Sequence, residues 1–262
     1  MPKGSEQNSL SAPNLTRIDL KGEILNVDEV LEKIIKAKDD KNIKGVLFVI
    51  DSPGGAFAPS MELALAIRDL KAKKPVVAYA SGTMASGSYL SGVSANKIIS
   101  NPASFIGSIG VIMQGADLSE LANKLGIKEQ VVKAGEYKQA GTFSRPWSEK
   151  EREYLQNLVE KSYVVFTKFV AKERKLDINK TNDWANAKVF LASEALNLGL
   201  VDALGNYEYA KKQIQALSNV KNPVWEKEDK IDKFLDKLSI SSSSFISKII
   251  SNALKGINLN TF

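Results

Sequence analysis

The sequence contains neither cysteine nor histidine. Without cysteine there is no disulfide framework, no thiolate nucleophile and no thiolate-ligated zinc or iron–sulfur centre. Missing thiols suit oxidising and reducing compartments alike. Without histidine there is no imidazole base, so a Ser-His-Asp triad, a Cys-His dyad and an H-E-x-x-H metalloprotease are all excluded. A hydrolase built on this chain has to draw its base from Lys, Asp, Glu or a metal-bound hydroxide. Long apolar runs are lacking too. Stretches such as Val46–Ile50 fall far short of the roughly 18 residues that span a bilayer. The polar residues 1–15 hold no apolar signal core, so the chain as read is expected to be soluble.

What is present is an ordinary globular composition. The 262 residues are 44% hydrophobic and 25% charged, enough for one large domain or two small ones. The net charge of +6 is dispersed. Lysines alternate with acids, as in Glu149-Lys150-Glu151-Arg152-Glu153, which reads as a solvated helix face rather than a polyanion-binding surface. No zinc finger or aromatic-basic RNA motif occurs, and no nucleic-acid partner is expected.

Along the chain, residues 1–14 read as a disordered arm or a cloning remnant. Strand and helix patterns then alternate: strand 15–20, helix 27–37, strand 44–50, a Ser-Pro-Gly-Gly turn, helix 60–71, strand 75–80, and a small-residue helix within 84–95. Such alternation argues for a parallel sheet with crossover helices. Short strands are expected at 97–100, 109–113 and 129–133, with a helix at 117–125 between the last two. A long helix opens at Ser148, where S-x-x-E with Glu151 forms a capping box, and reaches about Arg174. Shorter helices follow at 192–198 and 207–217. Beyond Pro223, residues 229–238 and 245–254 have apolar residues at helical spacing around the Ser241–Ser244 run, and 218–262 is expected to form an amphipathic helical tail.

Two places could carry chemistry. Asp51-Ser52-Pro53-Gly54-Gly55 stands where an apolar strand gives way to a helix. Its glycines leave backbone N–H groups uncovered, suited to an anion or a developing oxyanion; a plain strand-to-helix turn is the alternative. Ala85-Ser86-Gly87-Ser88-Tyr89 resembles a nucleophile elbow, although Met84 breaks the G-x-S-x-G pattern. Here the alternative is a small-residue helix packed on the sheet. A serine nucleophile needs a base, and a lysine serves only when neutral. Bringing its pKa from about 10.4 to about 7 takes roughly 4.6 kcal/mol, which burial among apolar groups can supply. Composition does not choose among the lysines. S-x-x-K spacings occur at Ser94–Lys97 and Ser218–Lys221, but the K-T-G and S-D-N elements that accompany that motif in β-lactamases are missing, so both are read as chance.

Several ordered stretches, taken together, choose among these readings. They are DSPGG, MASGSYLSGVSANKIISNP, SFIGSIGVIMQGADLSELANKLGI, VVKAGEYKQAGTFSRPWSEKE and VFLASEALNLGLVDALGNYEYAKKQI. Between residues 15 and 217 the chain closely resembles the bacterial signal peptide peptidase A (protease IV) family of Ser-Lys peptidases. The resemblance implies an α/β fold of the ClpP/crotonase kind, with repeated β-β-α units, a parallel sheet and flanking helices. It implies Ser86 as nucleophile, Lys138 as general base, Ser108 as the hydroxyl that orients the lysine, and Gly55 and Gly87 as the oxyanion hole. No metal or cofactor is implied. One departure is visible: the family usually reads Ser-Gly-Gly-Tyr where this chain has Ser86-Gly87-Ser88-Tyr89.

The resemblance further implies peptide substrates, namely cleaved signal peptides and other unfolded apolar segments. It implies a homo-oligomer, because short single-repeat members pair the serine of one subunit with the lysine of its neighbour. The family sits at the cell membrane with its catalytic domain on the extracytoplasmic side, so the chain reads as a soluble portion of such a protein. Two other readings stand beside this one: a catalytically silent scaffold of the same fold that binds membrane-associated partners, and a crotonase-type acyl-CoA enzyme. The latter leaves Ser86 and Lys138 without a role.

Overall fold

A computed structural model describes residues 12–227, and the chain divides into two compact units, Met1–Val224 and Trp225–Phe262. The tail helices expected at 229–238 and 245–254, and residues 1–11 of the expected arm, lie outside the described residues.

The first unit alternates strand and helix. It opens with β1 (Leu15–Ile24), α1 (Asp28–Asp39), β2 (Gly45–Gly55), α2 (Phe57–Lys71), β3 (Val76–Ala85) and α3 (Gly87–Gly92). There follow β4 (Lys97–Ser100), β5 (Phe105–Gly107), α4 (Ser119–Lys124) and α5 (Glu149–Arg174). It closes with α6 (Thr181–Trp184), β6 (Val189–Leu191), α7 (Ala192–Asn197), β7 (Ala203–Leu204) and α8 (Tyr207–Leu217). The sheet runs β1-β2-β3-β4-β7, and β5 branches from β3. Every pairing is parallel except β5–β6. The fold is therefore α/β, a parallel sheet with flanking helices.

A parallel sheet needs cover on both faces, and the strand sequences reflect this. Val46, Phe48 and Ile50 of β2 join the main core with Leu63, Ile67 and Leu70 of α2. Leu47 and Val49 alternate to the opposite face and are equally buried. Ala210 and Ile214 of α8 are fully buried as well, and Gly45 lies so close to α8 that an added Cβ would stand 3.0 Å from Ile214 Cδ1. Tyr79 of β3 meets Tyr207 of α8 with ring centroids 6.0 Å apart. Each such apolar side chain contributes roughly 1.5–3 kcal/mol by leaving water.

Three local expectations are corrected. Residues 51–55 are not a turn: β2 continues to Gly55, because β1 resumes pairing after a register shift and sets Glu23 and Ile24 opposite Gly54 and Gly55. Likewise β3 runs on to Ala85, where β5 supplies a new neighbour, so the helix expected within 84–95 shrinks to Gly87–Gly92. The strands expected at 109–113 and 129–133 do not form: the β5–β6 ladder ends at Gly107, with a further bond from Ala187 N to Ile109 O, and residues 129–133 pair with no strand.

Residues 112–147 form an arm, here named for its exposure. None of α4 is buried, and the arm's side-chain bonds run within itself or to the start of α5. Tyr137 stacks on Tyr154 at 4.7 Å, and Glu136 pairs with Lys150 at 3.2 Å. Arg145 grips Glu151 through two bonds of 2.7 and 2.8 Å. Glu151 also closes the expected capping box with Ser148. Asn14 and Val224 form a clasp: Val224 O accepts from Asn14 N at 2.8 Å, and Val224 N donates to Asn14 Oδ1 at 2.9 Å. Asn14 Nδ2 donates to Asn222 O at 2.9 Å.

Candidate active site

The extended ends of β2 and β3 build the site. β3 delivers Ser86 at its C-terminal end, immediately before α3. Ser86 has φ 53° and ψ −126°, a backbone conformation that L-residues rarely adopt. Such outliers cost about 1–3 kcal/mol and concentrate at functional sites. Two hydrogen bonds hold Ser86 there, where it caps α3: its N–H donates to Gly107 O at 2.7 Å, and its carbonyl accepts from Leu90 N at 3.1 Å.

Glycines let β2 approach this elbow. A Cβ on Gly54 would lie 2.6 Å from Gly87 N and 2.8 Å from Ser86 Cβ, so no side chain fits. A Cβ on Gly87 would meet Ser60 Oγ and would stand 3.3 Å from Gly55 N. The backbone nitrogens of Gly55 and Gly87 thus border one small volume beside Ser86. Gly87 is the first residue of its helix, so its N–H has no acceptor within the helix. Gly55 is exposed at the end of β2. A backbone N–H there can donate to negative charge developing on an oxygen at the elbow.

Ser108 enters from β5, next to the Gly107 carbonyl that receives the Ser86 N–H. It too has a positive φ, 49°, and its own N–H donates to Lys188 O at 2.7 Å. The sheet therefore brings Ser86, Ser108, Gly55 and Gly87 to one end of β2, β3 and β5. Lys138 is placed differently. It sits in the turns of the arm, exposed, beside the Tyr137 that stacks on α5. Among the described residues no hydrogen bond or ion pair joins its side chain to Ser86 or Ser108.

Anchors deeper in the fold keep α3 in place. Tyr89 is fully buried and donates its phenol to Leu200 O at 2.8 Å. Ser91 donates to Gly87 O at 2.8 Å, and Ser60 to Ala56 O at 2.7 Å. The sequence reading did not single out Ser52, Ser60 or Ser91. Buried serines at the ends of apolar strands and helices were the signal available for them. The two S-x-x-K spacings build no dyad: Ser94 Oγ is buried without a partner, and Lys97 reaches Gln213 at 2.9 Å.

Comparison with known proteins places these features in a wider group. A family model described as Peptidase family S49 matches residues 68–221. A candidate protease of Methanocaldococcus jannaschii is 41% identical over 76% of this chain and 62% of its own length. A candidate signal peptide peptidase SppA of Enterococcus faecium is 33% identical over 71% of this chain and 54% of its own. The chain therefore spans less than two thirds of these two relatives. Among solved structures, a mutant of the membrane-bound stomatin-specific protease 1510-N superposes with a TM-score of 0.53 at 15% identity, over 78% of this chain and 86% of that one. A ClpP1 mutant from Listeria monocytogenes gives 0.50 at 15% identity, over 74% of this chain and 93% of that one.

Proposed function

The chain belongs to peptidase family S49, and on that premise we propose that it is a serine endopeptidase whose nucleophile is Ser86 and whose base is Lys138 of a neighbouring copy. The observation that carries the reading is the elbow: a strained serine beside the backbone nitrogens of Gly55 and Gly87, two positions with no side chain of their own. In the reaction, neutral Lys138 takes the proton of Ser86 Oγ, and Oγ attacks the scissile carbonyl carbon. The N–H groups of Gly55 and Gly87 receive the oxyanion. Protonated Lys138, oriented by the Ser108 hydroxyl, gives its proton to the leaving amine. Water, deprotonated by the same lysine, then releases the acyl group and restores the serine.

The arm supports the sharing of the site between copies. A lysine base has to be neutral, and neutrality requires burial. Lys138 is exposed in the single chain and stands on a segment whose apolar side chains are also exposed. Docking that segment against a second copy covers the apolar residues and buries the amine in one step. The proposed substrates are cleaved signal peptides and other unfolded apolar segments, a reading supported by the name of the Enterococcus relative. The proposed place of work is the extracytoplasmic face of the cell membrane. Among the described residues no helix is long and apolar enough to cross a bilayer.

The test uses a fluorogenic apolar peptide. Ser86→Ala and Lys138→Ala are each expected to reduce turnover by about 10⁴-fold or more with the fold intact by circular dichroism. Mixing the two dead variants and allowing exchange restores about a quarter of the sites, because random pairing joins an intact serine to an intact lysine across a heterologous interface. Wild-type turnover in either single variant would refute the assignment. Silence of the mixture, with mixed assemblies demonstrated, refutes sharing.

A further inference from the structure

The elbow carries a hydroxyl that the reaction above leaves idle. Ser88 is fully buried two residues beyond the nucleophile, at the place where the chain departs from Ser-Gly-Gly-Tyr. Its Oγ accepts from Ala85 N at 2.8 Å and faces two carbonyls, Ser52 O at 2.6 Å and Ala85 O at 2.9 Å. A hydroxyl has one proton to give, and the shorter contact assigns it to Ser52 O. Ser52 is fully buried as well, and its own Oγ accepts from Gly54 N at 3.2 Å. The Ser88 hydroxyl thus links the segment Ala85–Ser88 to the segment Ser52–Gly55, and the Ser52 hydroxyl braces the latter from within.

The link falls where the sheet alone fixes little. The β2–β3 register shifts between Ile50 and Ser52, and the last pair is Ser52 opposite Met84. Beyond it no further ladder pair joins β2 to β3, yet the Gly54 and Gly87 backbones come close enough to exclude any side chain. Glycine permits that approach, but it does not enforce it. The polar groups that cross the gap are those of Ser88 and Ser52.

We propose that Ser88 is a positioning residue of the oxyanion hole: its hydroxyl clamps the end of β2 to the nucleophile elbow and sets the spacing between the Gly55 and Gly87 N–H groups. The proposal rests on the peptidase reading above. It concerns geometry alone, since Ser88 faces protein on all sides and touches no substrate. A misplacement of about 1 Å in such a site costs roughly 10²-fold in rate, so the clamp has a kinetic signature. Ground-state binding uses the cleft; only the tetrahedral form uses the hole.

The experiment compares Ser88→Ala, Ser88→Cys and Ser86→Ala with the wild-type assembly. It measures kcat per titrated site, KM, and affinity for a peptidyl boronate, which mimics the tetrahedral form. Ser88→Ala is expected to lower kcat about 10–100-fold with KM within about twofold. Boronate affinity is expected to fall in parallel with kcat, and Ser88→Cys, with a weak donor of similar size, to recover part of both. If Ser88→Ala does not fold, Ser88→Gly replaces it: that variant removes the same hydroxyl, places glycine where the family usually has it, and is expected to show the same split. Loss of thermal stability alone, with kcat per site and boronate affinity at wild-type values, overturns the proposal. Should Ser86→Ala turn over peptide like the wild type, the peptidase reading itself fails and the clamp falls with it. An inactive Ser86→Ala beside an unaffected Ser88→Ala refutes the clamp only.

Discussion

Phe48 is fully buried, whereas Val132 is fully exposed. The contrast extends to their surroundings. Around Phe48, every residue from Gly45 to Ile50 is buried between helices on both faces of the sheet. Around Val132, ten large apolar side chains between Ile112 and Phe143 stand in water. One half of the proposed machinery lies in each setting. The serine, the oxyanion glycines and Ser108 stand on a sheet that a single chain completes. The lysine stands on a segment that a single chain leaves uncovered. A patch of that size on a folded protein marks a surface of association. Under the proposed reading, folding and activation are separate events: the first needs one chain, the second a neighbour.

The sharpest way to break the comparison is to damage the sheet. Phe48→Ala removes a fully buried side chain of the main core and is expected to cost about 3–5 kcal/mol in urea unfolding. A cost within the surface range would mean that the sheet half is less finished than its burial indicates. Next comes the arm. Val132→Asp is expected to leave the unfolding free energy within about 0.5 kcal/mol, while lowering assembly size by light scattering and reducing turnover about tenfold or more. Unchanged assembly and activity would remove the arm from the interface.

The smallest effect concerns the joint between the two regions. Arg145 first, and the Ser148 N–H second, hold the Glu151 carboxyl down to about 2 from its usual 4.5. A carboxyl depressed in the folded state contributes stability above its unfolded value, and that contribution is lost as pH falls from about 4.5 through about 2. Amide exchange over 145–151 is therefore expected to quicken across this acid window. Glu151→Gln is expected to exchange faster already at neutral pH and to lose most of the acid dependence. An identical acid limb in both proteins would assign it to other carboxyls.

Some of this was legible in the sequence for plain reasons. Runs such as Val46–Ile50 read as buried strands because both faces of a parallel strand are covered. The α5 start was readable because Ser148 and Glu151 are a local device that needs nothing else from the fold. The extensions of β2 through Gly55 and β3 through Ala85 were not. Glycine, proline and serine are poor strand formers by themselves, and only the late partners in β1 and β5 make these residues strands. The converse error, strands at 109–113 and 129–133, came from short apolar stretches that join no ladder. Within the site, resemblance drew attention to Ser86, Ser108, Gly55, Gly87 and Lys138. It flagged Ser88 as the departure from Ser-Gly-Gly-Tyr and took in Ser52 within DSPGG, but gave neither a partner, because the bond between them joins positions 36 residues apart in sequence. No spacing rule reaches across that separation.

The clasp between Asn14 and Val224 has a mechanical corollary. Asn14 and Val224, 210 residues apart in sequence, are fastened side by side by two short bonds, with a third from Asn14 to Asn222 and a fourth of 3.2 Å from Leu15 N to Val224 O. Tension applied at Asn14 and Val224 would load this fastening before it reached the strands that carry the serine.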